Sequence, residues 1–469
     1  MTRLLPSGTV PVGGGLAVLG IAAYLHLAVA GHLLTPAAFS SLAVLWAIVF
    51  TLDLGLFMPV EQEISRHVAT LRVRGVSPGP VLARAGVVTA TTVAVLTSVT
   101  LAAAAPLADR LFGGNMDLPW AICAALAGLA LAHTSRGTLA GLGRFRCYGA
   151  QLGLDGGLRI CLVVAFAMSG VTSVLWYALI LAVAPVGAVL LTLPGCRTGT
   201  AAGSAAAVAG PGNGLGWRDT ASARIGWRGA AAAQAGWRGA ASARIGWRTL
   251  LGGLGLLSVS SLIAQFVANV GVINARLIAP TEVVIAGALL SALVLVRIPL
   301  FVFASLQAPL LPGLAAALAS GDGSRFRALL HRALAIVSGL GLGYGVPVVL
   351  LGPGLVGILF GTPDVLTAAD FGWLAAGTVG YLWAMVLGQG LLAQQRHLGQ
   401  AAAWSAGAAA LTTVTLLPLP VALRVEVGYT AGSIVTAAGM AIMLRPGAPA
   451  PRRRPSDPAT VTAAGAGPG

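Results

Sequence analysis

Lysine is absent from this 469-residue chain and acidic residues are scarce: all 28 basic side chains are Arg, against 13 Asp and Glu. Only 9% of residues are charged, too few to cover the surface of a soluble domain of this length. The lack of Lys fits a coding bias toward Arg and excludes no function. A net charge of +15 would point to nucleic acid in a soluble protein. In an apolar chain it reports orientation, because cytoplasmic loops retain Arg.

Cysteine is equally sparse. Cys123 and Cys161 fall in apolar runs, and Cys147 and Cys196 fall in loops that the charge pattern assigns to the cytoplasm. No extracytoplasmic pair remains to form a disulfide framework. There is no Walker motif, no Gly-x-Ser-x-Gly and no His/Cys cluster with metal spacing. No loop on the external side exceeds about twenty residues, leaving no room for the long acidic loop of a membrane glycosyltransferase. No catalytic residue, cofactor or metal is therefore assigned.

Apolar runs of around 20 residues are what the chain does have, each able to cross a ~30 Å hydrocarbon layer. Helices satisfy their own backbone in lipid, and the alternation of a membrane β-barrel is missing. The expectation is an all-α integral membrane protein with about 12 transmembrane helices. Six spans fall near 10–33, 38–60, 82–105, 119–140, 155–171 and 173–194, and six near 250–273, 283–307, 331–352, 368–392, 401–422 and 427–444. The run after Arg3, with Ala-Val-Ala at 28–30, is read as the first span rather than a cleaved signal.

The chain divides into a lobe at 1–195, a linker at 196–248, a second lobe at 249–444 and a Pro-, Ala- and Arg-rich tail at 445–469, expected to be disordered. Arg66, Arg72, Arg74, Arg144, Arg146, Arg325, Arg327, Arg332, Arg396 and Arg452 to Arg454 fall in loops of one side; Arg110, Arg276 and Arg424 fall on the other. Both termini and the linker are thus expected in the cytoplasm of a cell-membrane protein.

The linker repeats a ten-residue Gly-Trp-Arg unit at Gly216, Gly226, Gly236 and Gly246. Ten residues turn a helix by about 1000°, so successive Trp residues rotate by about 80° and form no single stripe. Three readings stay open: a strap held to an anionic leaflet by Arg and Trp, a passive spacer grown by duplication, and a nucleic-acid contact.

The two apolar blocks echo each other. "LADRLFGG" (107–114) and "LVGILFGT" (355–362) follow the third span of each block, and "LAGLGR" and "LLAQQR" end the fourth spans at Arg144 and Arg396. Two blocks with an even number of spans enter from the same side, as parallel repeats with a site between them.

Polar residues at bilayer depth are the candidate site. Arg297 lies mid-span in "ALLSALVLVRIPLFVFASLQ", where a cation costs ~2.5–3.5 kcal/mol on insertion scales. Pro299 removes a helix donor two residues later. Arg297 is read as an anion-binding group in a central chamber, the alternative being an Arg buried against helix carbonyls. Ser258, Ser261, Gln265, Asn269 and Arg276 fall within about 80° of one helix, as a cavity wall or as helix–helix glue. Arg136, with His133, is placed at the cytoplasmic mouth of the fourth span, and Tyr381 and Gln389 are candidate sugar contacts. Asp53 is a candidate ion-coupling residue or a structural partner for an Arg. Glu61, Glu63 and Arg66 are a candidate gate or a solvated helix end. Asp155 and Arg159 have the spacing of an intrahelical pair.

The segments "GLFMPVEQEISRHVATLRVRG", "TLAGLGRFRCYGAQLGLDGGLRI" and "LSALVLVRIPLFVFASLQAPLLPGLAAALASGD" resemble polysaccharide-biosynthesis flippases of the multidrug/oligosaccharidyl-lipid/polysaccharide (MOP) exporter superfamily. The resemblance spans about 12–444 without the repeat, which is not a feature of that family. It implies two six-helix lobes around a V-shaped cationic cavity and alternating access. The implied substrate is a polyprenyl-diphosphate-linked sugar, moved from inner to outer leaflet, with Arg276 and Arg297 holding the diphosphate. Glycosyltransferases or a polymerase of the same pathway would be partners, with membrane lipid. Two other functions stay open: a cation or drug antiporter of the same superfamily, and a scaffold that recruits glycosyltransferases without transporting.

Overall fold

The structure is a computed structural model describing residues 9–73, 76–208, 247–282, 284–361 and 365–444. The repeat units from 216 to 246 and the tail from 445 lie outside the described residues. All regular elements among the described residues are helical. The first block forms α1 (Thr9–Leu33), α2 (Pro36–Leu52), a π-helical turn (Asp53–Phe57), α3 (Met58–Val73), α4 (Gly79–Ala102), α5 (Ala104–Leu111), α6 (Asp117–Gly141), α7 (Phe145–Met168) and α8 (Val174–Val208). The second forms α9 (Trp247–Ile278), α10 (Ile285–Val296), α11 (Ile298–Ala319), α12 (Gly323–Phe360), α13 (Ala368–Ala393), α14 (His397–Thr415) and α15 (Val421–Met443).

Among the described residues ten helices are long and apolar enough to cross a membrane, against the twelve or so expected, with α2, the π turn and α3 counted as one continuous rod from Pro36 to Arg72. The protein is a multi-pass membrane protein. The span expected at 283–307 is broken: α10 stops at Val296, Arg297 leaves helical geometry at φ −91°, ψ 5°, and α11 starts at Ile298. Chain stops are written locally. Thr35 caps α2 with Pro36 behind it, and Thr367 and Asp370 form a reciprocal capping box on α13. Few residues of the α4 and α12 rods are buried, as befits helices that face lipid, whereas α6 and α13 are mostly buried.

The internal echo is structural. Gly113 and Gly361, each following a Leu-Phe pair, both take the left-handed conformation, at φ 61° and 60°. Phe112 and Phe360 before them are both buried. Likewise Gly143 (φ 70°) and Gln395 (φ 57°) turn the chain before Arg144 and Arg396. Those arginines share one backbone conformation, φ −87°, ψ 56° and φ −94°, ψ 56°. The second rod of each lobe is also interrupted mid-span, by the π turn at Asp53 in one and by the break at Arg297 in the other.

The lobes meet along α9, which packs on α2 and the π turn, and along α10, which packs on α2. At the end holding the α1–α2 and α12–α13 loops, contact is backbone-close: a Cβ on Gly31 would lie 1.9 Å from the Phe360 carbonyl oxygen. Toward the other end, α3 packs mainly on α6 while α11 packs on α12 and α13, so the rods lean away into their own lobes.

Candidate functional site

The break at Arg297 follows from Pro299. Proline has no N–H, so the Leu295 carbonyl, four residues back, loses its helical donor. The Tyr344 hydroxyl, from α12, donates to it at 3.0 Å. The neighbouring Val294 carbonyl takes a hydrogen bond from the Tyr24 hydroxyl at 2.7 Å, from α1 of the other lobe. Two tyrosines on different lobes thus satisfy backbone acceptors that an unbroken helix would have filled itself.

Freed from the helical run, the Arg297 side chain turns toward α9. Its Nη1 donates to Asn269 Oδ1 at 3.2 Å and its Nη2 to the Ala268 carbonyl. Its guanidinium carbon stands 4.9 Å from the Tyr429 ring centroid, a cation–π distance. The Asn269 amide donates in turn to the Gln265 carbonyl at 3.1 Å and to Gln265 Oε1 at 3.3 Å. Arg297, Asn269 and Gln265 therefore form one connected group. No carboxylate is in salt-bridge contact with this arginine among the described residues, and its buried Nε has no hydrogen-bond partner.

The other residues singled out from the sequence spread over three places. Arg276 lies about 10 Å further along α9, where it donates to Leu111 O across the lobe boundary at 3.3 Å and to Pro280 O at 3.0 Å. Tyr381 is buried near Arg297, its ring 5.3 Å from that of Trp404. Gln389 is buried about 12 Å further along α13.

The third place is inside the first lobe. Arg136 Nη2 donates to Asp155 Oδ2 at 2.7 Å, and Arg159 Nε donates to Asp155 Oδ1 at 2.9 Å. All three are buried, with Asp155 at 0% exposure. Beside them the His133 ring nitrogens face two carboxylates: Nδ1 is 2.6 Å from Glu61 and Nε2 is 3.1 Å from Asp53. Tyr148 donates to the second Glu61 oxygen at 2.8 Å. One turn away on α3, Arg66 Nε donates to Glu63 at 2.9 Å, and His67 stands 2.8 Å from the same carboxyl.

The roles of Tyr24, Tyr344 and Tyr148 carry no local signal, since each depends on a partner far along the chain. The Pro299 spacing did mark which carbonyl would need a donor. Outside both sites, Glu426 is fully buried with neither carboxyl oxygen hydrogen-bonded.

No protein-family profile and no curated protein match this sequence. Solved structures do. An inward-facing multidrug-resistance MATE transporter of the MOP superfamily superposes with a TM-score of 0.64 at 15% identity, covering 95% of this chain and 94% of its own. Its outward-facing conformation gives 0.60 at 14% identity, with 92% of each chain covered. The fold is that of the MOP transporters. A further MOP superfamily transporter, from Pyrococcus furiosus, matches at 0.60 and 16% identity over 93% of this chain and 94% of that one. It is described as having a binding pocket of reversed polarity that suggests a different function. The MOP fold accounts for two features of this chain: paired lobes whose turns match, and lobes joined tightly at one end.

Proposed function

We propose that this chain moves a lipid-linked anion across the cell membrane by alternating access, specifically a polyprenyl-diphosphate-linked oligosaccharide or polysaccharide precursor carried from the inner to the outer leaflet. The observation that carries this reading is Arg297. It is a cation at a mid-span helix break, held by neutral acceptors, with one buried N–H group unpartnered. Broken helices at the bilayer midplane build substrate sites, and guanidinium suits diphosphate oxygens. Asn269, Gln265 and Tyr429 orient the guanidinium and leave its charge uncancelled. Arg276 holds the closed end of the lobes instead of the chamber floor. On this reading both termini and the Gly-Trp-Arg linker are cytoplasmic, and membrane lipid and pathway glycosyltransferases are the partners.

The second reading is a MATE-like antiporter of cations or drugs. The carboxylates of buried Asp53 and half-buried Glu61 favour it, because a cation exchanger needs acidic groups within its lobes. Proteoliposomes separate the two. The first reading predicts protein-dependent translocation of a fluorescent polyprenyl-diphosphate sugar and no efflux of a cationic dye. Dye efflux without sugar-lipid translocation would replace it by the second.

A further inference from the structure

The lobes share more than their turns. "HLLTP" (32–36) matches "RLIAP" (276–280), and "DLGLF" (53–57) matches "RIPLF" (297–301). Both matches fall at one offset, so 32–57 and 276–301 align without a gap. His32 in the last turn of α1 is thus the counterpart of Arg276 in the last turn of α9. The turns that they reach, at Gly361 and Gly113, are counterparts as well.

In both halves the basic residue lies against the left-handed glycine of the opposite lobe. Arg276 Nη2 is 3.6 Å from the position of a Cβ on Gly113, and His32 Cδ2 is 3.3 Å from that of a Cβ on Gly361. There the chemistry diverges. Arg276 is buried, and its guanidinium donates to the Leu111 and Pro280 carbonyls. His32 is exposed and turns back on its own helix, its Nδ1 standing 2.8 Å from Ala28 O. A carbonyl only accepts, so Nδ1 carries the proton and the neutral ring keeps a lone pair on Nε2.

Beside His32 the lobes enclose a pocket of about 190 Å³. Gly31, His32, Leu34 and Pro36 line it from the first lobe, and Val284 and Gly361 from the second. The volume is far above the ~10–15 Å³ that admits one water. Residues 31–36 are the counterparts of 275–280, the stretch that both carries the Arg276 guanidinium and accepts from it. The walls suit a cation. α1 ends at Leu33 and α12 at Phe360, so the last carbonyls of two helices, which lack helical donors, converge here with the negative ends of both dipoles. The Gly31 carbonyl oxygen is 3.1 Å from the Cβ position of Gly361. No arginine lines the pocket.

We infer that this pocket is a binding site for a small guanidinium-type cation, which ties α1 to the end of α12 as Arg276 ties α9 to the end of α5. The acceptor assigned to it is the Leu359 carbonyl, which precedes Gly361 as Leu111 precedes Gly113. The site belongs to the joined end of the lobes and not to the helix break, so it does not rest on the function proposed above.

The probe is methylguanidinium. Tetramethylammonium, which has the charge but no N–H group, is the control at equal ionic strength. Thermal unfolding of the full-length protein in lipid nanodiscs reads binding, because a ligand of the folded state raises Tm saturably. Guanidinium salts otherwise lower it. The expected result is a saturable rise at millimolar methylguanidinium and none with tetramethylammonium. His32→Arg, which tethers a guanidinium at the pocket, should raise Tm by itself and weaken the apparent affinity for methylguanidinium about tenfold or more. Val284→Trp, which fills the pocket, should remove the response as well and decides the matter if His32→Arg fails to fold. No rise in the parent protein, an equal rise with tetramethylammonium, or a rise unchanged in the folded variants overturns the inference.

Discussion

The Tyr24 hydroxyl donates across the lobe boundary to the Val294 carbonyl, at 2.7 Å, three residues before the arginine at the helix break. A side chain of one lobe thus completes the backbone of the other beside the proposed anion site. Opening that side of the molecule must withdraw the hydroxyl and leave the carbonyl to water or to a bound ligand.

Tyr24→Phe should therefore weaken the arrangement seen here. Leaving a buried acceptor unsatisfied costs roughly 1–3 kcal/mol, a shift of about five- to 150-fold between conformations. Label distances across the α1–α12 end should lengthen in the variant, while Tyr344→Phe, which acts within one lobe, should lower thermal stability without moving the lobes apart.

A second prediction concerns the closed end. Because a Cβ on Gly31 would sit 1.9 Å from the Phe360 oxygen, Gly31→Ala cannot form this contact without moving α1 off α12. Cysteine-accessibility labelling should find the α1–α2 end open in this variant, and substrate translocation should fall at least tenfold.

The Arg136–Asp155–Arg159 set should behave as structure. Removing one partner from a buried ion group costs about 3–5 kcal/mol, because the others are left uncompensated. Asp155→Ala should then lower the Tm strongly, more than Arg136→Ala does, since Asp155 accepts from both arginines. Equal and small losses would show that the set is solvated.

Much of the architecture is legible in the sequence because lipid leaves the chain few options. The apolar runs located most of the helices but not their lengths: the rods Pro36–Arg72 and Gly323–Phe360 run well past the expected 38–60 and 331–352. The Leu-Phe-Gly and Gly/Gln-Arg echoes marked turns that the structure shows in matching left-handed conformations. The pair Asp155–Arg159 was readable from its spacing of four. The addition of Arg136 to that pair was not, nor was the meeting of His133 with Asp53 and Glu61, because hydrophobic periodicity carries no distance between helices far apart in sequence. The helix break was announced by Pro299, yet the donors that repair it come from α1 and α12. Polar residues in apolar helices show where chemistry sits along a span; only packing shows which of them share a site.

The central claim is that Arg297 supplies uncancelled positive charge to an anionic substrate. The most direct measurement is translocation of a fluorescent polyprenyl-diphosphate sugar by reconstituted Arg297→Gln, at matched protein level and Tm, beside Arg297→Lys. The expected result is loss of a hundredfold or more in the glutamine variant and partial recovery in the lysine variant, which keeps the charge but not the fork. Translocation by Arg297→Gln at the parent rate would contradict it.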